Sequence, residues 1–129
     1  MILTASPWHQ YFVDFWSPSE YPRVRRYLSS MYVALLHHLA SVEEIALVLP
    51  EHAEWLAREH EAGSFLASGR CRSGAAQIIL VGPMPRGRLD ALLATDPLVL
   101  RRLARYDVIQ FDATRTAPAM LAFNEALVS

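Results

Sequence analysis

The chain has 129 residues, which is enough for one ordinary domain and too few for two. A hydrophobic content of 53% predicts a filled core, and no apolar stretch is long enough to span a bilayer as a helix. The net charge of −1, with no segment that collects positive charge, argues against nucleic acid as a partner.

The cysteine and lysine content limits the possible catalytic chemistry and indicates the cellular compartment. The single cysteine, Cys71, cannot form an intramolecular disulfide, which is typical of proteins in a reducing cytosol. The N-terminus lacks the basic and apolar regions of a secretory signal, so we expect a cytoplasmic protein. All twelve basic residues are arginines, which excludes Schiff-base chemistry and a lysine general base.

Residues 1–29 differ in composition from the rest of the chain and are expected to form an N-terminal extension. Prolines at positions 7, 18 and 22 break any long helix here. The segment holds seven of the thirteen aromatic residues: Trp8, Tyr11, Phe12, Phe15, Trp16, Tyr21 and Tyr27. So aromatic a segment should pack on its own domain, on a partner or over a cleft as a lid.

The first half of the predicted domain contains a strand, a helix and a second strand. Residues 31–38 form a short, apolar, β-prone run. Pro50 suits the first turn of a helix over residues 51–61, with 42–49 as an optional earlier turn. Residues 64–71 then alternate small or polar with apolar side chains, as a half-buried strand does.

The second half repeats strand, helix and strand. Residues 76–81 predict a strand and 86–95 a helix that ends before Pro97, because a residue preceding proline avoids the α region. Residues 106–112 predict the last strand, and a closing C-terminal helix is expected within 117–129. The order β-α-β-β-α-β over residues 30–116 predicts an α+β, ferredoxin-like domain with a four-stranded antiparallel sheet and both helices on one face.

Strand alternation divides the predicted sheet into two faces. The face expected beneath the helices is uniformly apolar and comprises Phe65, Ala67, Ile78, Leu80, Ile109 and Phe111. The opposite face is mixed and comprises Leu66, Ser68, Arg70, Gln77, Ile79, Val81, Tyr106, Val108 and Gln110. The mixed face is too apolar for water, so we expect a second copy to cover it around a lined cavity, as a homodimer. The aromatic extension is the alternative cover.

The predicted topology brings several chemistry-bearing residues to one edge of the sheet. His52 is the best catalytic candidate, because imidazole transfers protons near neutral pH, and a nearby Asp96 would fix its tautomer. Alternatively, His52 lies on the surface and Asp96 only caps the turn before Pro97. The other residues expected at this edge are His38, Ser68, Arg70 and Tyr106. No metal-binding, phosphate-binding or dinucleotide-binding spacing occurs, so no cofactor is expected.

Three segments together carry a family resemblance. Residues 49–71 (LPEHAEWLAREHEAGSFLASGRC), 76–83 (AQIILVGP) and 96–115 (DPLVLRRLARYDVIQFDATR) resemble the YCII-related family. The resemblance implies a dimeric α/β barrel whose active site is a His–Asp pair, which falls on His52 and Asp96. One branch of the family resembles a dehydrochlorinase, which implies lyase or isomerase chemistry. The sequence departs from the pattern at Arg70, where the family has proline, and at Leu98, where it has an aromatic residue.

The functional hypothesis is a cofactor-independent lyase or isomerase that acts on a cyclic or aromatic metabolite. His52 and Asp96 would be catalytic, and the substrate would contact His38, Ser68, Arg70, Gln77, Tyr106 and Gln110. The alternative is a metabolite-binding or accessory module of the same fold without catalysis. A third hypothesis is a dimeric scaffold with a vestigial pocket.

Overall fold

The structure, a computed structural model, describes residues 30–74 and 76–124. The predicted N-terminal extension, residues 1–29, lies outside the described residues, as do residues 125–129. The strands are β1 (Ser30–His38), β2 (Phe65–Arg70), β3 (Ala76–Val81) and β4 (Ala104–Asp112). The helices are α1 (Val42–Glu61), α2 (Arg86–Leu93), α3 (Pro97–Leu100) and a 3₁₀ helix (Pro118–Phe123).

The four strands form one antiparallel sheet in the order β2-β3-β1-β4. The predicted α+β class and four-stranded antiparallel sheet are therefore confirmed, in a layout of the ferredoxin-like kind. β1 and β3 are central, and β2 and β4 are the edge strands. None of the helices within residues 30–74 and 76–124 combines the length and apolar character needed to cross a membrane.

Pro50 predicted a helix over residues 51–61, whereas α1 begins at Val42 and runs unbroken through Pro50 for 20 residues. Its N-terminus is a capping box, in which the Ser41 side chain accepts from the Glu44 backbone N–H and the Glu44 side chain accepts from the Ser41 backbone N–H. Four buried residues follow one stripe of the helix on both sides of Pro50: Ile45, Val48, His52 and Trp55. This packing, together with the cap, keeps the first two turns helical.

We expect Ser41→Ala to lower the free energy of unfolding by about 1 kcal/mol, because the Glu44 backbone N–H in the first turn of α1 loses its acceptor, the Ser41 hydroxyl. Urea denaturation of the purified variant measures this change. Glu54→Ala, an exposed change in the middle of the same helix, is the control and should stay within about 0.5 kcal/mol of the parent. Equal effects of the two changes would contradict the capping role.

The C-terminal helix predicted within residues 117–129 takes a different form in its described part. Residues Pro118–Phe123 form a 3₁₀ helix with a kink at Met120, and none of its residues is buried. Because so little of it packs against the domain, tertiary contacts do not stabilise a regular α-helix here.

The core lies between the helices and one face of the sheet. A main cluster joins side chains of all layers: Tyr32, Ala34, Trp55, Phe65, Ile79, Val81, Met84, Leu89 and Leu93. A second cluster lies beside α3 and comprises Leu36, Ile45, Val48, Leu98 and Ala104. Tyr106 is half-buried and packs against both clusters, so it joins the two parts of the core.

The predicted assignment of the two sheet faces is wrong for β3 and β4. Ile79 and Val81 are 2% and 0% exposed in the core, whereas Ile109, expected beneath the helices, is 55% exposed. The mixed face therefore lies under the helices and cannot be the surface that a second copy covers. Two of its polar members, Gln77 and Tyr106, are hydrogen-bonded to the buried pair of His52 and Asp96, and a satisfied polar group is compatible with a core.

The predicted face assignment is also wrong for part of β2, because this strand contains a β-bulge. Phe65 is opposite Val81 but Ala67 is opposite Leu80, so Leu66 is the additional residue. Beyond the bulge, Ser68 and Arg70 share the helix side of the sheet, opposite Ile79 and Gln77 in register.

The opposite side of the sheet, which we term the outer face, carries the apolar set instead. The cross-strand register places seven apolar residues together there: Val33, Leu35, Ala67, Ile78, Leu80, Ile109 and Phe111. Ile78, Ile109 and Phe111 are 36%, 55% and 38% exposed. The outer face thus carries a contiguous apolar surface that is partly open to solvent, with His37, Arg105 and Asp107 at one end.

Candidate functional site

His52 and Asp96, 44 positions apart in sequence, meet inside the domain. His52 lies on the buried stripe of α1, and Asp96 is the N-cap residue of α3. The His52 Nδ1 atom lies 2.9 Å from Asp96 Oδ1, and the two residues are 2% and 0% exposed. The sequence-predicted pair is therefore formed, although in the core and not on an open rim.

Asp96 is held by donors on both carboxyl oxygens. Besides contacting His52, Oδ1 accepts a hydrogen bond of 2.9 Å from the Leu98 backbone N–H, which is the capping contact of α3. Oδ2 accepts a hydrogen bond of 2.6 Å from the Tyr106 hydroxyl. Asp96 thus serves as an acceptor at each oxygen, which is the role of a carboxylate, and its orientation is determined by three separate elements.

The other ring nitrogen of His52 faces β3. Its Nε2 atom lies 3.1 Å from the side-chain oxygen of Gln77. An imidazolium would donate to this oxygen, and a neutral ring would accept from the Gln77 amide N–H after the amide turns over. Gln77 can therefore be a partner in both protonation states of His52. Together, Gln77, His52, Asp96 and Tyr106 form a continuous hydrogen-bonded chain, which we term the His52 chain.

Tyr106 stays protonated at the end of this chain. Burial raises the pKa of Tyr106 well above its ordinary value, and the neighbouring Asp96 charge and hydrogen bond raise it further. The unfolded chain would lose this proton above about pH 10, whereas the folded domain retains it. The contribution of Tyr106 to stability is consequently complete below pH 10 and decreases as the pH rises above it.

Trp55 and Thr95 orient the pair and were not identified from the sequence. Trp55 stacks against His52 with ring centroids 5.8 Å apart, and its Nε1–H donates to Thr95 Oγ1 at 2.9 Å. Thr95 immediately precedes Asp96, so this contact connects the helix that carries the histidine to the turn that carries the carboxylate. The available signal was the three-residue spacing of His52 and Trp55, which places both on one helix face.

Three of the predicted substrate-binding residues surround a small cavity at the Gln77 end of the His52 chain. The cavity has a volume of about 110 Å³ and is lined by Leu56, Ser68, Gly69, Arg70 and Gln77. Ser68 Oγ lies 2.9 Å from His60 Nε2. Within the part of the chain that the structure describes, Arg70 has no carboxylate in ion-pair contact.

Two other predicted residues lie away from the pair. His38 ends β1, is exposed, and joins none of the hydrogen bonds of the His52 chain. Gln110 is exposed four positions beyond Tyr106 on β4, or about 13 Å at the rise of an antiparallel strand. Both share the helix side with the pair, but the length of the strands keeps Gln110 apart from it.

Within residues 30–74 and 76–124, no three His, Cys, Asp or Glu side chains are grouped so that they could hold a metal ion. Comparison of the chain with protein-family models, curated proteins and solved structures finds no match. The resemblance to the YCII-related family therefore remains a prediction from the residue pattern, and the site has to be interpreted from its own geometry.

Proposed function

We propose that this protein is a cofactor-independent small-molecule enzyme of the lyase or isomerase type. The supporting observation is the buried contact between His52 and Asp96, with the carboxylate held by Leu98 and Tyr106. Asp96 would fix the imidazole tautomer and stabilise the imidazolium while His52 takes a proton from the substrate. The resemblance described above suggests a cyclic or aromatic substrate.

Access to His52 would depend on Gln77. The Gln77 side chain lines the small cavity and also occupies His52 Nε2, so a substrate has to displace its amide to reach the base. Arg70 and Ser68, on the wall of the same cavity, would bind an anionic or polar group of that substrate. A cavity of about 110 Å³ is smaller than typical ligand pockets, so displacement of Gln77 would also supply room.

A non-catalytic metabolite-binding module is the second candidate. It is favoured by the 2% exposure of His52 and by the contact that already occupies Nε2, since both are also features of a structural buried pair. In that case the cavity would bind a ligand without proton transfer, and the His52–Asp96 contact would only connect α1 to α3.

Proton exchange tests the catalytic proposal without knowledge of the physiological substrate. A panel of cyclic ketones, lactones and chlorinated hydroquinones is incubated with the protein in D₂O, and loss of C–H signal and release of chloride are followed by NMR and ion chromatography. We expect exchange or elimination above the buffer rate for at least one compound class, and no such increase with His52→Gln. If some compounds bind but none reacts, the non-catalytic metabolite-binding module is supported. If none reacts or binds, both the catalytic proposal and the binding module are contradicted.

We further propose a homodimer formed through the outer face. A second copy related by a twofold axis presents the same seven apolar side chains, so one contact covers both faces at once. Monomers seldom leave a contiguous apolar surface of this kind in water. The surface differs from the mixed face that the sequence indicated, but the physical reason for expecting a dimer is the same.

Ile109→Glu should convert this dimer into a monomer, because a carboxylate at a 55%-exposed position of the outer face would be buried without a partner. Size-exclusion chromatography with light scattering measures the mass. Leu47→Glu, at an 82%-exposed position on α1, is the matched control and should leave the mass unchanged. A parent protein that is monomeric at micromolar concentration would contradict the dimer.

A further inference from the structure

A second and larger cavity lies between α2, α3 and the edge strand β4. It has a volume of about 460 Å³, which is within the usual range for small-molecule sites. We term it the β4 groove. Its floor is formed by Leu93, Ala94, Val99, Ala104, Tyr106 and Val108. It lies at the Tyr106 end of the His52 chain, whereas the small cavity lies at the Gln77 end.

The floor of the β4 groove is part of the core. Leu93 and Ala104 are 5% and 4% exposed, and Val99 and Val108 pack against the two core clusters. Side chains held in this way do not need to rearrange before a ligand binds, so the apolar surface is already formed.

The charged residues on the rim neutralise one another. Arg86 Nε lies 2.9 Å from Asp90 Oδ1, and Arg105 Nη1 lies 2.6 Å from Asp107 Oδ1. The second oxygen of Asp107 lies 3.0 Å from His37 Nε2. The charges of the two arginines and two aspartates sum to zero, so the rim attracts neither an anion nor a cation, and the apolar floor offers a charged group no partner. The groove therefore favours an uncharged ligand.

Tyr106 connects the groove to the buried pair. Its hydroxyl donates inward to Asp96, so the ring is the part that faces a ligand in the groove. A ligand that packs on this ring would change the surroundings of the hydrogen bond to Asp96 and, through Asp96, those of His52. β3, which carries Gln77, is separated from β4 by β1, so these two strands are about 10 Å apart across the sheet and the two cavities are distinct.

We infer that the β4 groove is a second binding site, which takes an uncharged, largely apolar small molecule, and that binding there is sensed at His52 through Tyr106 and Asp96. Binding in the groove does not depend on the proposed catalytic function. Only the effect of groove binding on His52 rests on the proposed catalytic function.

Three probes of nearly the same shape test the ligand class: benzyl alcohol, benzoate and benzylamine. Each is titrated into ¹⁵N-labelled full-length protein, and the amide signals of Leu93, Val99 and Val108 are followed. We expect benzyl alcohol to shift these signals saturably and the two charged probes to bind about tenfold or more weakly. No saturable shift with benzyl alcohol, or equal affinities for all three probes, would overturn the inference.

Replacement of either of two alanines by tryptophan, one in the groove and one outside it, locates the site. Ala94→Trp places an indole in the groove, whereas Ala91→Trp adds the same bulk at an exposed position of α2 outside the groove lining. We expect about a tenfold loss of benzyl alcohol binding for Ala94→Trp and no loss for Ala91→Trp. Equal affinities in the two variants would overturn the assignment. If circular dichroism shows that Ala94→Trp is unfolded, Ala94→Leu is used with the same criteria.

Tyr106→Phe separates binding from communication, since it retains the ring and removes the hydroxyl that reaches Asp96. In the parent protein, benzyl alcohol should also shift the imidazole ¹⁵N signals of His52. We expect the Phe variant to bind benzyl alcohol and lose this response; a retained response would overturn the role of Tyr106. His52→Gln should bind benzyl alcohol normally, so failure of the groove and failure of the catalytic proposal are distinguishable.

Discussion

Asp96→Ala should lower the free energy of unfolding by about 3–5 kcal/mol, because each buried donor left without a partner costs about 1–3 kcal/mol. The substitution leaves His52, the Leu98 backbone N–H and the Tyr106 hydroxyl without their shared acceptor in a part of the core that is closed to water. It also removes the N-cap of α3. Equilibrium denaturation in urea, with the slope compared between variants, measures the loss.

Asp90→Ala is the matched control for this change. Asp90 is an exposed aspartate on α2 whose partner is the surface residue Arg86. Ion pairs of that kind contribute about 0–1 kcal/mol, so the control should remain near the parent value. Two aspartates that differ only in burial and partners are thus compared directly. A loss below about 1 kcal/mol for Asp96→Ala would contradict the description of Asp96 as the acceptor that holds this part of the core together.

His52→Gln should slow substrate proton exchange by about 10²–10⁴-fold, the contribution usual for a positioned general acid or base. The fold should persist, because a glutamine side chain can still donate an N–H to Asp96 where His52 donated. The rate is measured by NMR in D₂O on the compound with the highest parent rate, and the fold is checked by circular dichroism.

Glu54→Gln, two positions along α1 and exposed, is the control for the rate measurement and should retain the parent rate. Ligand affinity is measured on the same samples, so that binding and chemistry are separated. Loss of exchange with retained affinity supports a catalytic His52. Retained exchange in His52→Gln would contradict the catalytic proposal, whatever the affinity.

The meeting of His52 and Asp96 was predicted from the order of elements, since the first helix of a βαββαβ domain starts and the second helix ends at the same edge of the sheet. In the structure His52 lies in the middle of α1, and it meets Asp96 because α3, which Asp96 caps, packs against that helix. The depth of the pair was not foreseeable. His52 lies on the continuous buried stripe of α1, and it therefore faces the core, because the helix starts at Val42 and not near Pro50.

The two faces of the sheet show where local patterns are ambiguous. Gln77 and Tyr106 make the helix-side face look more polar than the outer face, which carries Ile78, Ile109 and Phe111. Alternation groups residues into faces correctly, but it does not say which face is buried when both are largely apolar. In β2 the bulge at Leu66 also reverses the alternation, and a six-residue strand contains no signal that reveals it.

The sequence by itself determined the number and order of the four strands and of the two longer helices, because these depend on periodicity, turn residues and helix ends that are local in the chain. It also predicted that His52 and Asp96 approach each other, with a surface position of His52 as the alternative. Only the tertiary structure decided which side of the sheet is covered and that the pair lies inside it. That choice depends on hydrogen bonds among residues distant in sequence, which make burial of Gln77, His52, Asp96 and Tyr106 compatible with a core.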